Sequence, residues 1–220
     1  MYKTVVFDLD GTLLDTLPDL AAAGNAALGQ LGLPTHSTEA FRAMVGNGIS
    51  RLCMQMLPES CRDPATHRSA HDAFREYYQN HLDTHTISYD GVENMLNKLY
   101  LSGYQLAVLS NKPDPFVQQL MQRFFKLPFC AVQGALPQFP HKPQPDSLFH
   151  IIRQCGTTPD ETLYCGDSEV DIQTARNAGV QSVAVSWGFR SREELTAEHP
   201  NYLIDQPEQL FELLSANHKM

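Results

Sequence analysis

The chain has little positive charge, one tryptophan and no long apolar run. Its 16 Lys and Arg stand against 25 Asp and Glu, a formal net charge of −9 at pH 7. Such a surface opposes polyanions, so neither nucleic acid nor an anionic membrane is an expected partner. A small anionic ligand remains open, because a local site can oppose the net charge. No apolar stretch reaches the ~18 residues of a membrane-spanning helix. The first apolar run meets Asp8 at once, too early for a secretory signal, so a cytoplasmic location is expected. The five cysteines, Cys53, Cys61, Cys130, Cys155 and Cys165, are odd in number and form no C-x-x-C. Reduced thiols are therefore expected, rather than a disulfide framework or a zinc ribbon.

What is present is ordinary globular composition: 220 residues, 42% apolar and 19% charged. A chain of this size can bury ~70% of its unfolded surface without metal or disulfide staples. Short apolar runs at Thr4–Phe7, Gln105–Leu109, Pro128–Val132, Leu163–Cys165 and Val180–Val185 read as buried strands. Helical periodicity marks Val92–Leu101, Pro115–Phe125, Ser147–Cys155, Val170–Asn177 and Glu208–Ser215. Alternating strands and helices imply an α/β fold with a parallel sheet covered on both faces. Residues 17–85 break the alternation. Leu20–Leu31, Glu39–Met44, Ile49–Leu57 and Ala70–Leu82 all have helical spacing there. That segment reads as an all-helical cap inserted into a core of residues 1–16 and 86–220.

The segment Asp8-Leu9-Asp10-Gly11-Thr12 follows the first strand. Two carboxylates at that spacing can share one hard cation, with Mg²⁺ the best fit to oxygen ligands. Gly11 lets the backbone turn and offer N–H groups to an anion. One carboxylate can attack phosphorus while the other transfers protons. Taken alone, the pair also fits a turn that caps the next helix. Further strand ends carry related chemistry. Ser110 and Asn111 offer a hydroxyl and an amide to a phosphate, and Lys142, in a proline-stiffened loop, offers an ammonium. Asp167 can complete the metal site, with Asp171 one helical turn later holding the loop or a metal water. Each has a plainer reading: a helix cap for Ser110, a surface lysine for Lys142, an N-cap and first-turn acid for Asp167 and Asp171. Their order on successive strand ends favours one shared site, since open α/β sheets bind ligands there.

The series Asp8-x-Asp10-Gly11-Thr12, Ser110, Lys142 and Gly166-Asp167-x3-Asp171 resembles the haloacid-dehalogenase-like hydrolase superfamily. That resemblance implies a Rossmann-like parallel sheet core with an inserted helical cap. It implies Asp8 as nucleophile and Asp10 as general acid/base. Gly11, Thr12, Ser110, Asn111 and Lys142 would serve the phosphate. Asp8, the Asp10 carbonyl and Asp167 would hold Mg²⁺, with Asp171 behind them. Phe7–Thr16, Pro18–Leu20, Val45–Gly48 and Ser186–Phe189 look most like the phosphoglycolate-phosphatase branch. A small phosphorylated metabolite is then the expected partner of a monomer or homodimer.

Relatives with other chemistry fit less well. No Lys occurs between Lys3 and Lys98, so a cap Schiff base lacks its amine. Thr12 and Leu20 differ from the β-phosphoglucomutase pattern and point from transfer to hydrolysis. A sugar-phosphate mutase, a pyrophosphatase and a non-catalytic phosphate-binding protein remain alternatives. Gly46-Asn47-Gly48 is either a substrate-facing cap loop or an interhelical turn, and Arg51 is either a substrate-carboxylate ligand or a solvent-facing residue. Lys112 follows the hydroxyl loop and is either a residue that steers anions or, by default, a surface lysine at a helix start. His67, His71, His81 and His85 read as solvent-facing, and Trp187 as packing beside the last site loop.

Overall fold

The computed structural model describes residues 1–217. Strand β1 (Thr4–Phe7) is wholly buried, as its β-branched and aromatic side chains require. A two-residue strand, β2 (Leu14–Asp15), follows it. The chain then forms α1 (Leu17–Gln30), α2 (Thr38–Arg42), α3 (Ile49–Met56) and α4 (Pro64–His81) with no strand between them. It continues through β3 (Ile87–Ser88), α5 (Val92–Leu101), β4 (Gln105–Pro113), α6 (Asp114–Phe124), β5 (Ala131–Ala135) and α7 (Asp146–Gln154). The last elements are β6 (Thr162–Gly166), α8 (Glu169–Ala178), β7 (Gln181–Val185), α9 (Arg192–Ala197), β8 (Tyr202–Ile204) and α10 (Glu208–Asn217).

Six strands make one sheet in the order β5-β4-β1-β6-β7-β8. Every pairing in it is parallel. Connections leave β1 toward β4 and β5 on one side, and toward β6 to β8 on the other. That reversal opens a crevice at the carboxyl ends of β1, β4 and β6.

Three features escape sequence periodicity. The β2–β3 ladder pairs only Leu14 with Ser88 and Asp15 with Ile87, too short to show a period. Strand β8 has three residues. Helix α9 has six, although its capping box, Ser191 with Glu194, was readable. The strand expected over Pro128–Val132 begins only at Ala131; proline gives a ladder no donor.

Helices α1 and α4 carry most of the packing within residues 17–81. A Cβ on Gly24 of α1 would overlap the Phe41 ring, so glycine sets the approach of α1 to α2. The two connections of this helical segment run side by side in β2 and β3. Asp19 of α1 fastens them: it is 1% exposed. It accepts hydrogen bonds from the amides of His85 (3.0 Å) and Thr86 (2.8 Å) and from the Thr86 hydroxyl (2.8 Å).

The cysteine expectation is corrected. Cys130 and Cys155 form a disulfide, with Cα atoms 5.4 Å apart. Cys53, Cys61 and Cys165 are free. The pair is 25 residues apart in sequence and meets because Cys130 leads into β5 while Cys155 ends α7 beside it. An odd total concealed one long-range pair. No described helix is long and apolar enough to cross a membrane.

Candidate active site

Asp8 follows β1 and is buried. Its Oδ1 lies 3.0 Å from Lys142 Nζ. That contact is ionic and poorly aligned as a hydrogen bond, so the oxygen has no hydrogen-bond partner. Burial pushes the Asp8 carboxyl up to about 7; Lys142 opposes this, while Asp171 and Asp10 add to it.

Lys142 is held at the centre of the site. Its ammonium donates to Asp171 Oδ1 (2.7 Å) and the Tyr164 hydroxyl (3.0 Å). Burial would strip its proton, but Asp171 and Asp8 overcome that and hold it well above its ordinary value. The loop carrying Lys142 is pinned to β4 by Asn111. Asn111 Oδ1 accepts from the Lys142 amide (2.9 Å), and Nδ2 donates to the Lys142 carbonyl (3.2 Å). Nδ2 also reaches the Gly46 carbonyl at 3.1 Å, touching the loop between α2 and α3.

Asp167 follows β6. Its Oδ2 accepts from the Phe189 amide (2.7 Å) and its Oδ1 from the Thr12 hydroxyl (3.2 Å). Burial, with Asp171 and Asp8 nearby, drives its carboxyl well above the usual range. A Cβ on Gly11 or Gly188 would overlap the Asp167 carboxylate. Gly11 also holds φ +85°, a conformation that favours glycine. Asp171 Oδ2 accepts from the Ser168 amide (3.1 Å) and hydroxyl (2.6 Å), closing the capping box of α8.

Asp8, Asp167 and Asp171 present carboxylate oxygens within 4.8 Å of one another. They are the only described group of His, Cys, Asp or Glu compact enough to hold a metal ion. Three buried carboxylates, one with an oxygen lacking a hydrogen bond, suit a hard divalent cation. Asp171 lies in this group, but its oxygens are already engaged, Oδ1 by Lys142 and Tyr164 and Oδ2 by Ser168. The four histidines form no such group. His67 instead meets the Ser50 carbonyl at 2.8 Å, and His81 stacks on Tyr77.

The crevice is walled by Asp8, Asp10, Ser110, Asn111 and Asp167 from the sheet side. Gly46 and Gly48 approach from the helical side, but Arg51 is exposed and Asn47 is absent from the wall. Gly11 and Thr12 support Asp167 from behind. Trp187 donates from Nε1 to the Thr12 carbonyl at 3.0 Å, packing as expected. The free cavity is about 30 Å³, room for about two waters.

Two site residues were missed. Lys112 is buried and donates to Asp10 Oδ1 (2.6 Å) and Oδ2 (2.8 Å), which corrects its reading as a surface lysine. Strand β4 continues through Lys112 to Pro113 with an irregular register against β5 between Leu109 and Pro113, and Ser110, Asn111 and Lys112 all line the cavity. Burial alone would lower the Lys112 pKa, but Asp10 and Tyr78 outweigh it and hold the ammonium above its ordinary range. Arg190 also lines the cavity. It donates to Glu169 Oε2 (2.9 Å) and to the carbonyls of Arg42 (2.9 Å) and Val45 (3.0 Å). Arg42 returns a bond to the Gly188 carbonyl at 3.1 Å. This reciprocal clasp has no local sequence signal.

The chain is similar to known proteins in sequence and in fold. The chain is 37% identical over 213 residues to a phosphoglycolate phosphatase of Pseudomonas syringae pv. tomato, covering 92% of this chain and 76% of that protein. It is 32% identical over 222 residues to the phosphoglycolate phosphatase of Vibrio parahaemolyticus, covering 98% and 97%. A crystal structure from Lactobacillus delbrueckii subsp. bulgaricus superimposes with TM-score 0.92 at 31% identity, covering 96% of this chain and 98% of that one. A predicted phosphoglycolate phosphatase from Haemophilus somnus matches with TM-score 0.90 at 29% identity, over 97% and 98%. The family model for haloacid dehalogenase-like hydrolases matches residues 5–185, the span that carries every strand-end residue described above. With that match, and with Asp8, Lys142 and Asp167 meeting at one crevice, the chain belongs to the haloacid dehalogenase-like hydrolase family.

Proposed function

We propose that this chain is a phosphomonoester hydrolase for a small soluble phosphate, with 2-phosphoglycolate its leading substrate. The observation that carries the reading is Asp8: a buried carboxylate with an oxygen free of hydrogen bonds, facing a buried ammonium. Residues 17–85 act as the helical cap over the core. Lifting of that cap would admit substrate to the crevice, and closing again would exclude bulk water.

Asp8 Oδ1 attacks phosphorus and the ester oxygen leaves, giving an aspartyl-phosphate on Asp8. Asp10 gives the leaving oxygen its proton, then takes one from the water that cleaves the acyl-phosphate. Lys142 and the Ser110 hydroxyl hold the phosphoryl oxygens. Asn111 keeps the Lys142 loop in register with β4. Asp8, the Asp10 carbonyl and Asp167 would hold Mg²⁺, with Asp171 behind them binding Lys142 and Ser168. When bound, the ion supplies charge that offsets repulsion between the Asp8 carboxylate and the phosphoryl group.

The test is phosphate release with Mg²⁺ from phosphoglycolate, sugar phosphates, nucleotides and pyrophosphate. Turnover concentrated on phosphoglycolate is expected. Turnover concentrated on sugar phosphates or pyrophosphate would overturn the substrate and keep the hydrolase. A requirement for added bisphosphate would favour a mutase.

Mg²⁺ binding should also depend on pH. The ion needs ionised carboxylates, and Asp8 is pushed up to about 7 from an unfolded value of 3.8. A raised carboxyl pKa costs the metal-free fold stability as pH climbs between those values, and Mg²⁺ removes that cost. The rise in melting temperature on adding Mg²⁺ should be larger at pH 8 than at pH 5. An equal rise at both would contradict this assignment.

A further inference from the structure

We propose that Lys112 recognises a second anionic group of the substrate, one carbon beyond the ester oxygen. The substrate class is then the short phosphomonoesters of 2-hydroxy acids. This rests on the hydrolase reading above and deepens it.

Lys112 and Arg190 are the cations on the cavity wall. Arg190 is committed to Glu169 and to two carbonyls of the helical segment. Lys142 is committed to Asp8, Asp171 and Tyr164. Arg51 is exposed and lies off the wall. Lys112 differs in its partner, because that partner is itself a residue of the reaction: it bonds Asp10 twice, at 2.6 and 2.8 Å, with Tyr78 beside it, its Nζ 5.1 Å from the ring centre. A buried ammonium on a cavity wall can donate to a second carboxylate while keeping one bond to Asp10.

The spacing also fits. In the proposed mechanism Asp10 meets the ester oxygen, and the Lys112 ammonium sits one hydrogen bond from Asp10. In a 2-phosphooxy acid the nearest carboxylate oxygen is three bonds, about 3 Å, from the ester oxygen. That places the carboxylate within reach of Lys112 with no further spacer.

The helical side sets the other half of the selection. Leu20, Val45, Ile49 and Leu52 face the cavity there. These side chains offer no hydrogen-bond partner, so a polyhydroxylated sugar phosphate would bury unpaired hydroxyls. A two- or three-carbon acid leaves only CH₂ or CH₃ against that wall.

The experiment compares phosphoglycolate with ethyl phosphate, which has the same carbon count and no carboxylate. Wild type, Lys112→Met and Lys112→Gln are assayed for kcat and KM with Mg²⁺, and melts establish that each variant is folded. Wild type should prefer phosphoglycolate. Lys112→Met should lose about 100-fold more kcat/KM on phosphoglycolate than on ethyl phosphate, mainly through KM, and Lys112→Gln should show the same bias. Equal losses on both esters, carried by kcat, would overturn the proposal and leave Lys112 as a residue that only positions Asp10. Wild-type protein inert toward every monoester would instead bring down the hydrolase reading on which this one rests.

Discussion

Asp8→Asn should abolish phosphate release, lowering kcat by about 10⁴-fold or more, the scale seen when a catalytic nucleophile is removed. The substitution keeps shape and removes the attacking carboxylate. Asp8 is buried, and its carboxyl is pushed up to about 7 mainly by that burial. The cost of ionising it in the metal-free fold is therefore present above pH 7 and relieved below its unfolded value. The amide carries no such cost. Metal-free Asp8→Asn should accordingly melt no lower than metal-free wild type at pH 8, while its added stability from Mg²⁺ shrinks. A kcat within tenfold of wild type would remove Asp8 from the nucleophile's role. A collapsed variant would instead point to a structural role.

Lys142→Met should have the largest effect on stability. Its ammonium lies 2.7 Å from Asp171 and 3.0 Å from Asp8. Removing one partner of a buried ionic group typically costs about 3–5 kcal/mol, because the remaining charges stay buried and uncompensated. Here those charges are carboxylates within 4.8 Å of each other, with Asp167 the third. Lys142 is held above its ordinary value, so it stays charged and its contribution is constant across neutral pH. The repulsion it offsets is not constant: it grows as Asp8 ionises toward and above about 7. The loss measured by urea unfolding should thus be larger at pH 8 than at pH 5, and Mg²⁺ should restore more stability to the variant than it adds to wild type. A loss below about 1 kcal/mol at pH 8 would show that the carboxylates do not depend on this lysine.

Both predictions rest on residues that a linear reading had already singled out, and the reason is local. Asp8, Ser110 and Asp167 each lie at or just past the apolar, β-branched part of a strand, where the chain turns polar at the sheet's carboxyl edge. Strand patterning places such residues without reference to the rest of the molecule. Helix signals are local as well: Val92–Leu101 matches its helix end to end, and the four helices of residues 17–81 fall where apolar spacing put them.

The sequence by itself determined the α/β alternation, the uninterrupted helical run between Leu17 and His81, and the order of acid pair, hydroxyl, lysine and acid along the strand ends. Tertiary structure alone decided which charges share a space. Lys112 became an inward partner of Asp10 because β4 runs on past Ser110 to Pro113 and its ammonium meets the Asp10 carboxylate. Arg190 reached the helical segment although 148 residues separate it from Arg42. Arg51, close in sequence to the Gly46–Gly48 loop, turned outward. Cys130 found Cys155 across a crossover. Periodicity reports which way a side chain faces within its own element, but contact between distant segments depends on how those elements pack.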